Sequence, residues 1–260
     1  MTDQPAPFSN IFSGFTPPSF PIYEPSLKRF CKTLIFGPYG SGKTTFLGSA
    51  GLDPRTSPML YLNFEGGESS LAGAPGVISV DIEDWDRYYE VLEYLEKSDH
   101  PFKSVGLDSI SESHVFALFA ILDQEASKRK NPDHLEIGDY GTASVQLRRL
   151  IRSFRDLKLH VFLSALAKDE VEPKEGLVTK PLLSGKLADE IPGIVDVVGY
   201  LVETTLEGTP PQNVRALLLR DYPKIRVKVR VPVGMALQIP PALINPQVSD
   251  LLNILQIPQI

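Results

Sequence analysis

In the stretch Gly37-Pro38-Tyr39-Gly40-Ser41-Gly42-Lys43-Thr44, the chain matches the pattern G-x-x-x-x-G-K-S/T without a mismatch. The glycines let backbone N–H groups turn inward around an anion, and the helix expected to begin near Lys43 adds its own free N–H groups. In such loops the lysine reaches the β- and γ-phosphates, and the last hydroxyl ligates Mg²⁺. The stretch therefore predicts a site for a nucleoside triphosphate and Mg²⁺, with Thr44 as a metal ligand and Thr45 as a further nucleotide-binding residue.

An incidental glycine-rich turn is a poor alternative to this interpretation. A chance match to the pattern in a chain of this length has odds on the order of one in a hundred. The stretch also follows an apolar run at 33–36 and precedes a helical pattern, as the chemistry requires.

The composition of the chain limits which classes of protein it can belong to. The chain has 260 residues, of which 42% are hydrophobic, enough for one domain with a large core. Its single cysteine, Cys31, excludes an intramolecular disulfide. The sequence shows neither a signal peptide nor an apolar run that could span a bilayer, so we expect a cytoplasmic protein, in the host cytoplasm if it is viral. The net charge of -6 argues against duplex DNA binding over the whole surface, but allows a local basic groove.

The chain divides into an arm and a domain. Residues 1–29 are rich in Pro, Ser and Phe and have no apolar core of their own. Such an arm packs on its own domain, stays disordered, or docks on a neighbouring subunit, and the sequence leaves these alternatives open. The domain predicted for residues 30–260 alternates strand and helix signals.

This alternation predicts an α/β fold with a mainly parallel central sheet and helices on both faces. The last strands follow one another without helices between them, so we expect antiparallel strands at the C-terminal side. Strands are predicted at 33–36, 59–64, 77–82, 104–107, 160–166, 195–202, 214–220 and 225–231. Helices are predicted at 85–95, 113–122, 147–157 and 247–255.

Two carboxylates follow strands of this predicted sheet. Asp108 ends the fourth strand and is expected to hold the Mg²⁺ shell, with a plain helix N-cap as the alternative. Glu65 ends the second strand and precedes Gly66-Gly67, which frees the chain to turn and exposes the carboxylate. Since ligands bind at the carboxyl ends of parallel strands, Glu65 is the candidate for activating water, with Glu68 as its substitute.

The fifth predicted strand should lie beside the strand that ends at Asp108. Ser164 is the only polar side chain inside its apolar run, so it is the candidate to sense the γ-phosphate. A buried serine that bonds to the backbone is the alternative interpretation.

Basic residues form two groups in the sequence, one in a predicted strand and one on a predicted helix. The stretch Ile225–Val231 alternates strictly and places Arg226, Lys228 and Arg230 on one face. They form a solvated edge, or they reach the nucleotide of an adjacent subunit as arginine fingers do. A second group lines the polar side of the helix predicted at 147–157 and is either a solvated face or a nucleic-acid contact: Arg148, Arg149, Arg152 and Arg155.

The order of these parts resembles the RecA-like ATPase core, above all the compact bacteriophage proteins described as AAA-family nucleotide-binding proteins. The stretches that carry the resemblance cover roughly residues 30–232 and are GPYGSGKTT, LYLNFEGG, SVGLDS, HVFLSALAKDE, KPLLSGKLADEIPGIVDVVGYLV and VKVRVP. The resemblance implies a catalytic glutamate at Glu65, the metal carboxylate at Asp108, and basic residues reaching across a subunit interface at Lys228 and Arg230. It also implies that the long loop after the fifth strand, 168–186, binds DNA.

The chain departs from the family pattern at two places. Ser164, Ala165 and Leu166 stand where the family often has a polar His or Gln at the end of the sensor strand. The loop 168–186 contains four carboxylates among its four lysines, so it is not net basic.

Three hypotheses follow. The first is a RecA-like, DNA-stimulated ATPase that assembles into homo-oligomers and acts on single-stranded DNA in recombination or annealing. The second is an ATP-driven protein-remodelling or helicase-loading factor. The third is a nucleotide-gated interaction module that hydrolyses little and uses the arm to bind partners. ATP rather than another nucleoside triphosphate is implied by the resemblance alone.

Overall fold

The computed structural model describes residues 30–259, except 130, 132, 133, 209, 221 and 233. The arm predicted for residues 1–29 lies outside the described residues. The described residues form ten strands: β1 Lys32–Gly37, β2 Met59–Asn63, β3 Val77–Asp81, β4 Ser104–Asp108, β5 His160–Glu172, β6 Gly176–Pro181, β7 Val197–Leu206, β8 Gln212–Leu218, β9 Lys228–Val229 and β10 Ala242–Ile244. They also form six α-helices: α1 Lys43–Gly48, α2 Trp85–Lys97, α3 Ile110–Glu125, α4 Ile137–Asp156, α5 Leu187–Ile194 and α6 Val248–Ile254.

The strands form one mixed sheet in the order β10-β8-β7-β1-β5-β4-β2-β3, with β6 paired to β5 and β9 paired to β7. All pairs from β7 through β1, β5, β4 and β2 to β3 are parallel. The pairs of β7 with β8 and β9, and of β8 with β10, are antiparallel. The predicted fold class is therefore confirmed, including the antiparallel C-terminal strands and the position of β5 beside β4.

Helices cover both faces because the side chains of the buried strands alternate between them. In β1, Leu34 and Phe36 belong to the apolar cluster that also contains residues of α2, α3, α4 and α5. Ile35 belongs to the opposite cluster, with residues of α1 and α6. Each face of the central sheet is thus buried, as the near-continuous apolar strands require.

The prediction of an irregular loop at 168–186 is wrong, because β5 continues to Glu172 and forms an antiparallel hairpin with β6. The hairpin lacks a regular apolar alternation, and its carboxylates form ion pairs within the hairpin and with the neighbouring stretch 225–231. Lys180 contacts Glu170 at 3.0 Å, and Arg226 contacts Glu172 at 2.6 Å. These contacts neutralise carboxylates that the sequence left without partners.

The prediction of a continuous strand at 225–231 is also wrong. Only Lys228–Val229 pairs with β7, and Ile225 makes an isolated bridge to Thr179 of the hairpin. Arg226 lies between these two contacts and bonds with carboxylates of the hairpin, so this stretch is shared between the sheet and the hairpin.

No described helix is both long enough and apolar enough to cross a bilayer.

Candidate nucleotide-binding site

The stretch between β1 and α1 is a tight loop whose glycines have conformations that other residues adopt with strain. Gly40 and Gly42 have φ angles of 73° and 93°, in the left-handed region. The amide of Phe46 donates to the Gly42 carbonyl at 2.8 Å, which closes the first turn of α1. The loop is therefore wrapped rather than extended.

The amine of Lys43 lies inside this loop. Its Nζ donates to the carbonyl oxygens of Gly37 at 3.2 Å and Pro38 at 2.9 Å. Burial lowers the pKa of Lys43, and the negative charges of Asp108 and Glu65 act in the opposite direction. Among the described residues, the hydrogen bonds found for this buried cation go to neutral carbonyls, so the amine is suited to a bound anion.

The metal-ligand candidates Thr44 and Asp108 lie together, with Thr44 Oγ1 donating to Asp108 Oδ2 at 2.5 Å. A hydroxyl and a carboxylate are the hard oxygen ligands that Mg²⁺ prefers. Among the described residues, no group of three or more His, Cys, Asp or Glu side chains could hold a metal ion. This donor set fits Mg²⁺, which is commonly bound through one or two protein ligands together with substrate phosphates.

One further buried hydroxyl belongs to the loop. Ser41 Oγ is buried and has no hydrogen-bond partner among the described residues. Because a buried polar group without a partner is costly, this atom also fits a ligand that supplies an acceptor within the loop.

Asp108 also accepts hydrogen bonds from the two strands that flank β4. Tyr61 OH of β2 donates to Asp108 Oδ2 at 2.8 Å, and Ser164 Oγ of β5 donates to Asp108 Oδ1. Ser164 thus contacts the carboxylate. Sequence reasoning missed Tyr61. Strand alternation could have pointed to Tyr61. In the β2–β4 register Tyr61 is opposite Gly106, and Asp108 lies two residues after Gly106, so the side chains of Tyr61 and Asp108 are on the same face of the sheet.

Glu65 follows β2 and is exposed, as its position before two glycines predicts. Its Oε1 accepts a hydrogen bond from Ser109 Oγ, the residue that follows Asp108. The structure therefore brings Glu65 next to the metal-ligand candidates. The backbone of Glu68 begins a 3-10 turn that ends at Leu71.

Lys228 and Arg230 lie away from this loop, at the end of α5. Lys228 Nζ donates to the Pro192 carbonyl, and an Arg230 guanidinium nitrogen donates to the Gly193 carbonyl at 3.2 Å. Val198 of β7 is the register partner of both Lys228 and Leu34, and Leu34 lies three residues before the loop begins. Lys228 is therefore level with the middle of β1, across β7, rather than beside the loop. The structure does not bring these two cations to the Lys43 site of the same chain.

A cavity of about 340 Å³ lies beside the loop and α1. The residues that line it come from the end of the loop, from α1 and from the C-terminal part of the domain. They include Gly42, Thr45, Phe46, Leu71, Arg215 and Pro246. The side chain of Arg215 lies directly against the loop, since a Cβ placed on Gly42 would be 2.6 Å from its Nε. Sequence reasoning found Thr45 but missed Arg215, which lies far from the loop in the chain and carries no motif.

A wrapped glycine loop, a buried lysine and a hydroxyl–carboxylate pair, placed at the carboxyl ends of parallel strands, define the class of P-loop nucleotide-binding proteins. The chain belongs to the family described as AAA domain, whose profile matches residues 29–231. It therefore contains an ATPase-like AAA domain.

The solved structures that this chain matches include the assembled ATPase EscN from the enteropathogenic E. coli type III secretion system, at 14% identity and a TM-score of 0.43. That match covers 66% of this chain and 43% of EscN. A prototypical ATPase from the type III secretion system of pathogenic bacteria matches at 16% identity and a TM-score of 0.38, covering 66% of this chain and 51% of that one. This chain thus spans about half the length of these structures. A comparison with curated proteins finds no match.

Proposed function

We propose that this chain binds ATP with Mg²⁺ at the loop Gly37–Thr44 and hydrolyses it. One observation carries the proposal: Thr44 Oγ1 lies 2.5 Å from Asp108 Oδ2 at the mouth of a loop that encloses the Lys43 amine. This arrangement combines a cation, a wrapped glycine loop and a metal-ligand pair, which are groups that phosphoryl transfer uses.

Each group has a separate role. Lys43 and the loop amides bind the phosphates, and Thr44 and Asp108 would hold Mg²⁺, which neutralises phosphate charge when it is bound. Glu65 orients and activates the attacking water, with Ser109 fixing one of its carboxylate oxygens.

The nucleoside occupies the cavity beside α1, which begins where the phosphate loop ends. Its apolar wall, which includes Phe46 and Leu71, accommodates a base, and Arg215 offers donors to the sugar or to a phosphate at Gly42. The described residues that line the cavity include no carboxylate that could accept hydrogen bonds from the edge of a guanine, and ATP is the nucleotide proposed on the family resemblance.

The functional form is a homo-oligomer in which Arg230 completes the site of the adjacent subunit. The distance of Arg230 from its own loop supports a role in trans, and its side chain is 52% exposed. The side chains of Lys228 and Arg230 both bond to carbonyls at the end of α5, but Lys228 is only partly exposed, so it is the weaker candidate.

The Arg230→Ala variant tests this arrangement. We expect ATP turnover to fall at least about 100-fold, because a cation that stabilises transition-state charge is lost, while nucleotide affinity changes little. Mixing it with Glu65→Gln subunits should restore part of the turnover, because mixed interfaces contain one intact Glu65 and one intact Arg230. Arg226→Ala is the matched control, since Arg226 forms close ion pairs with Glu172 at 2.6 Å and Glu175 at 3.0 Å, whereas Arg230 lies 3.7 Å from Asp196. Full activity of Arg230→Ala, or a mixture as inactive as its parts, contradicts the role in trans.

Single-stranded DNA is the proposed partner, on the strength of the family resemblance. The contacts proposed for it are exposed cations on α4. Arg149 and Arg152 are exposed, and no ion pair to either is found within the described parts of the chain. The cations of the hairpin and of the adjoining stretch 225–231 are poorer candidates, because Lys180 and Arg226 are paired with carboxylates.

Measuring ATP turnover with and without a single-stranded oligonucleotide tests the whole proposal. We expect stimulation that weakens as salt rises, and we expect the Arg149→Ala/Arg152→Ala variant to reduce the salt slope of DNA binding by about 0.7 per arginine. Arg155→Ala is the control, because Arg155 is paired with Asp156. Turnover without stimulation removes DNA as the partner and favours the remodelling or loading factor.

One observation favours the interaction module as a second candidate. Val171 and Leu177 face each other across the hairpin and are 75% and 54% exposed. An exposed apolar pair on a projecting hairpin is suited to protein contact. Tight nucleotide binding with no turnover, with or without DNA, supports this candidate.

A further inference from the structure

Three hydroxyl groups converge on the Asp108 carboxylate. Thr44 Oγ1 and Tyr61 OH both donate to Oδ2, at 2.5 Å and 2.8 Å, and Ser164 Oγ donates to Oδ1. Tyr61 and Ser164 are almost fully buried, at 1% and 0% exposure, on the strands that flank β4. The carboxylate is therefore held from both sides by the sheet and from above by α1.

The hydroxyl of Tyr61 is not needed for packing, because a phenylalanine ring would fill the same space. Its ring belongs to the apolar cluster that contains Phe46, Met59 and Phe162. A phenylalanine would complete this cluster without placing a polar atom in it. The polar atom is accommodated because Asp108 accepts its hydrogen bond, so the hydroxyl acts on the carboxylate rather than on the core.

We propose that Tyr61 is a positioning residue for metal binding, fixing the Asp108 carboxylate in the orientation that the metal beside Thr44 requires. The inference rests on the proposed function, because it concerns the same nucleotide and metal. Tyr61 and Ser164 occupy the carboxylate from the sheet side, so its remaining lone pairs are left for ligands near Thr44. Partners that orient a metal ligand in this way commonly change metal affinity by about 10–100-fold when they are removed.

This arrangement also assigns Ser164 a different role from that of a γ-phosphate sensor. Its hydroxyl donates to Asp108 Oδ1, so Ser164 holds the same carboxylate from the opposite strand. Tyr61 and Ser164 together restrict the Asp108 rotamer, and loss of either hydroxyl removes one of the restraints on the carboxylate.

The test is Tyr61→Phe in the full chain, with Mn²⁺ as the metal and a non-hydrolysable ATP analogue as the nucleotide. Free Mn²⁺ is followed by electron paramagnetic resonance, and analogue affinity is measured separately without metal. We expect Mn²⁺ affinity of the analogue complex to fall about tenfold, metal-free analogue affinity to stay unchanged, and the Mg²⁺ concentration for half-maximal turnover to rise. Ser164→Ala should shift the Mn²⁺ affinity in the same direction.

Tyr88→Phe is the matched control, because Tyr88 is equally buried but belongs to the cluster on the other face of the sheet. Unchanged Mn²⁺ affinity in Tyr61→Phe, or an equal loss in Tyr88→Phe, overturns the inference. A fall in metal-free analogue affinity equal to that for Mn²⁺ also overturns it, since the phenol would then support the loop rather than the carboxylate. A different result would contradict the proposed function itself: the wild-type protein would not bind the ATP analogue at all.

Discussion

Lys43→Ala is expected to abolish nucleotide binding while the fold stays intact. The amine lies inside the loop, where its present partners are the Gly37 and Pro38 carbonyls, and phosphate oxygens would replace them as stronger partners. Charge-assisted hydrogen bonds contribute about 1.5–3 kcal/mol each, so losing contacts to two phosphates should weaken binding by at least about 100-fold. Titration with a fluorescent ATP analogue measures this loss directly.

The stability of Lys43→Ala should change little, because burial already disfavours the charged amine, as its lowered pKa shows. Lys32 provides a matched control, since it has the same 9% exposure and lies at the other end of β1. Lys32 Nζ donates to the Leu157 and Leu159 carbonyls, so Lys32→Ala should lower the free energy of unfolding without changing nucleotide affinity. If Lys43→Ala and the wild-type protein bound the nucleotide with equal affinity, the assignment of the loop as the phosphate-binding site would be contradicted.

The parts of the molecule that the sequence predicts well are those that local rules determine. The loop Gly37–Thr44 depends on glycine conformations and on its place between a strand and a helix, and both are visible in the chain. The fold class follows from the alternation of apolar strands and amphipathic helices. Asp108 and Glu65 could be named because carboxylates after parallel strands meet at one edge of the sheet.

The elements that escaped prediction lack such local signals. The hairpin of β5 and β6 mixes charged and apolar residues without a strand period, and contacts such as that of Lys180 with Glu170 become visible only once the strands pair. The helix α5 contains Pro192 followed by Gly193, which predict an interruption rather than a helix. The strand β10 has three residues, too few for a period to be recognised.

The missed site residues depend on tertiary register. Tyr61 appears in the chain as one apolar residue of a buried strand, and its contact with Asp108 arises only because β2 pairs with β4. Arg215 reaches Gly42 because β8 returns antiparallel to β7, which neighbours β1. Strand order is set by packing of the whole domain, so a motif search does not find these residues.

Glu65→Gln is expected to bind ATP with unchanged affinity and to hydrolyse it at least about 100 times more slowly, the usual contribution of a general base. The amide keeps the size and the hydrogen bond with Ser109 Oγ, but it cannot accept a proton from water. Single-turnover measurements at saturating ATP separate this loss from any change in binding, because they report the chemical step.

Glu68→Gln is the control for this assignment, because Glu68 is the other carboxylate of the same segment. If Glu65 is the base, Glu68→Gln turns ATP over at the rate of the unchanged chain. Turnover lost in Glu68→Gln and kept in Glu65→Gln would move the base three residues along the chain. Turnover kept in both variants would leave water activation to another group, and the bond between Ser109 and Glu65 would then serve only to order the segment after β2.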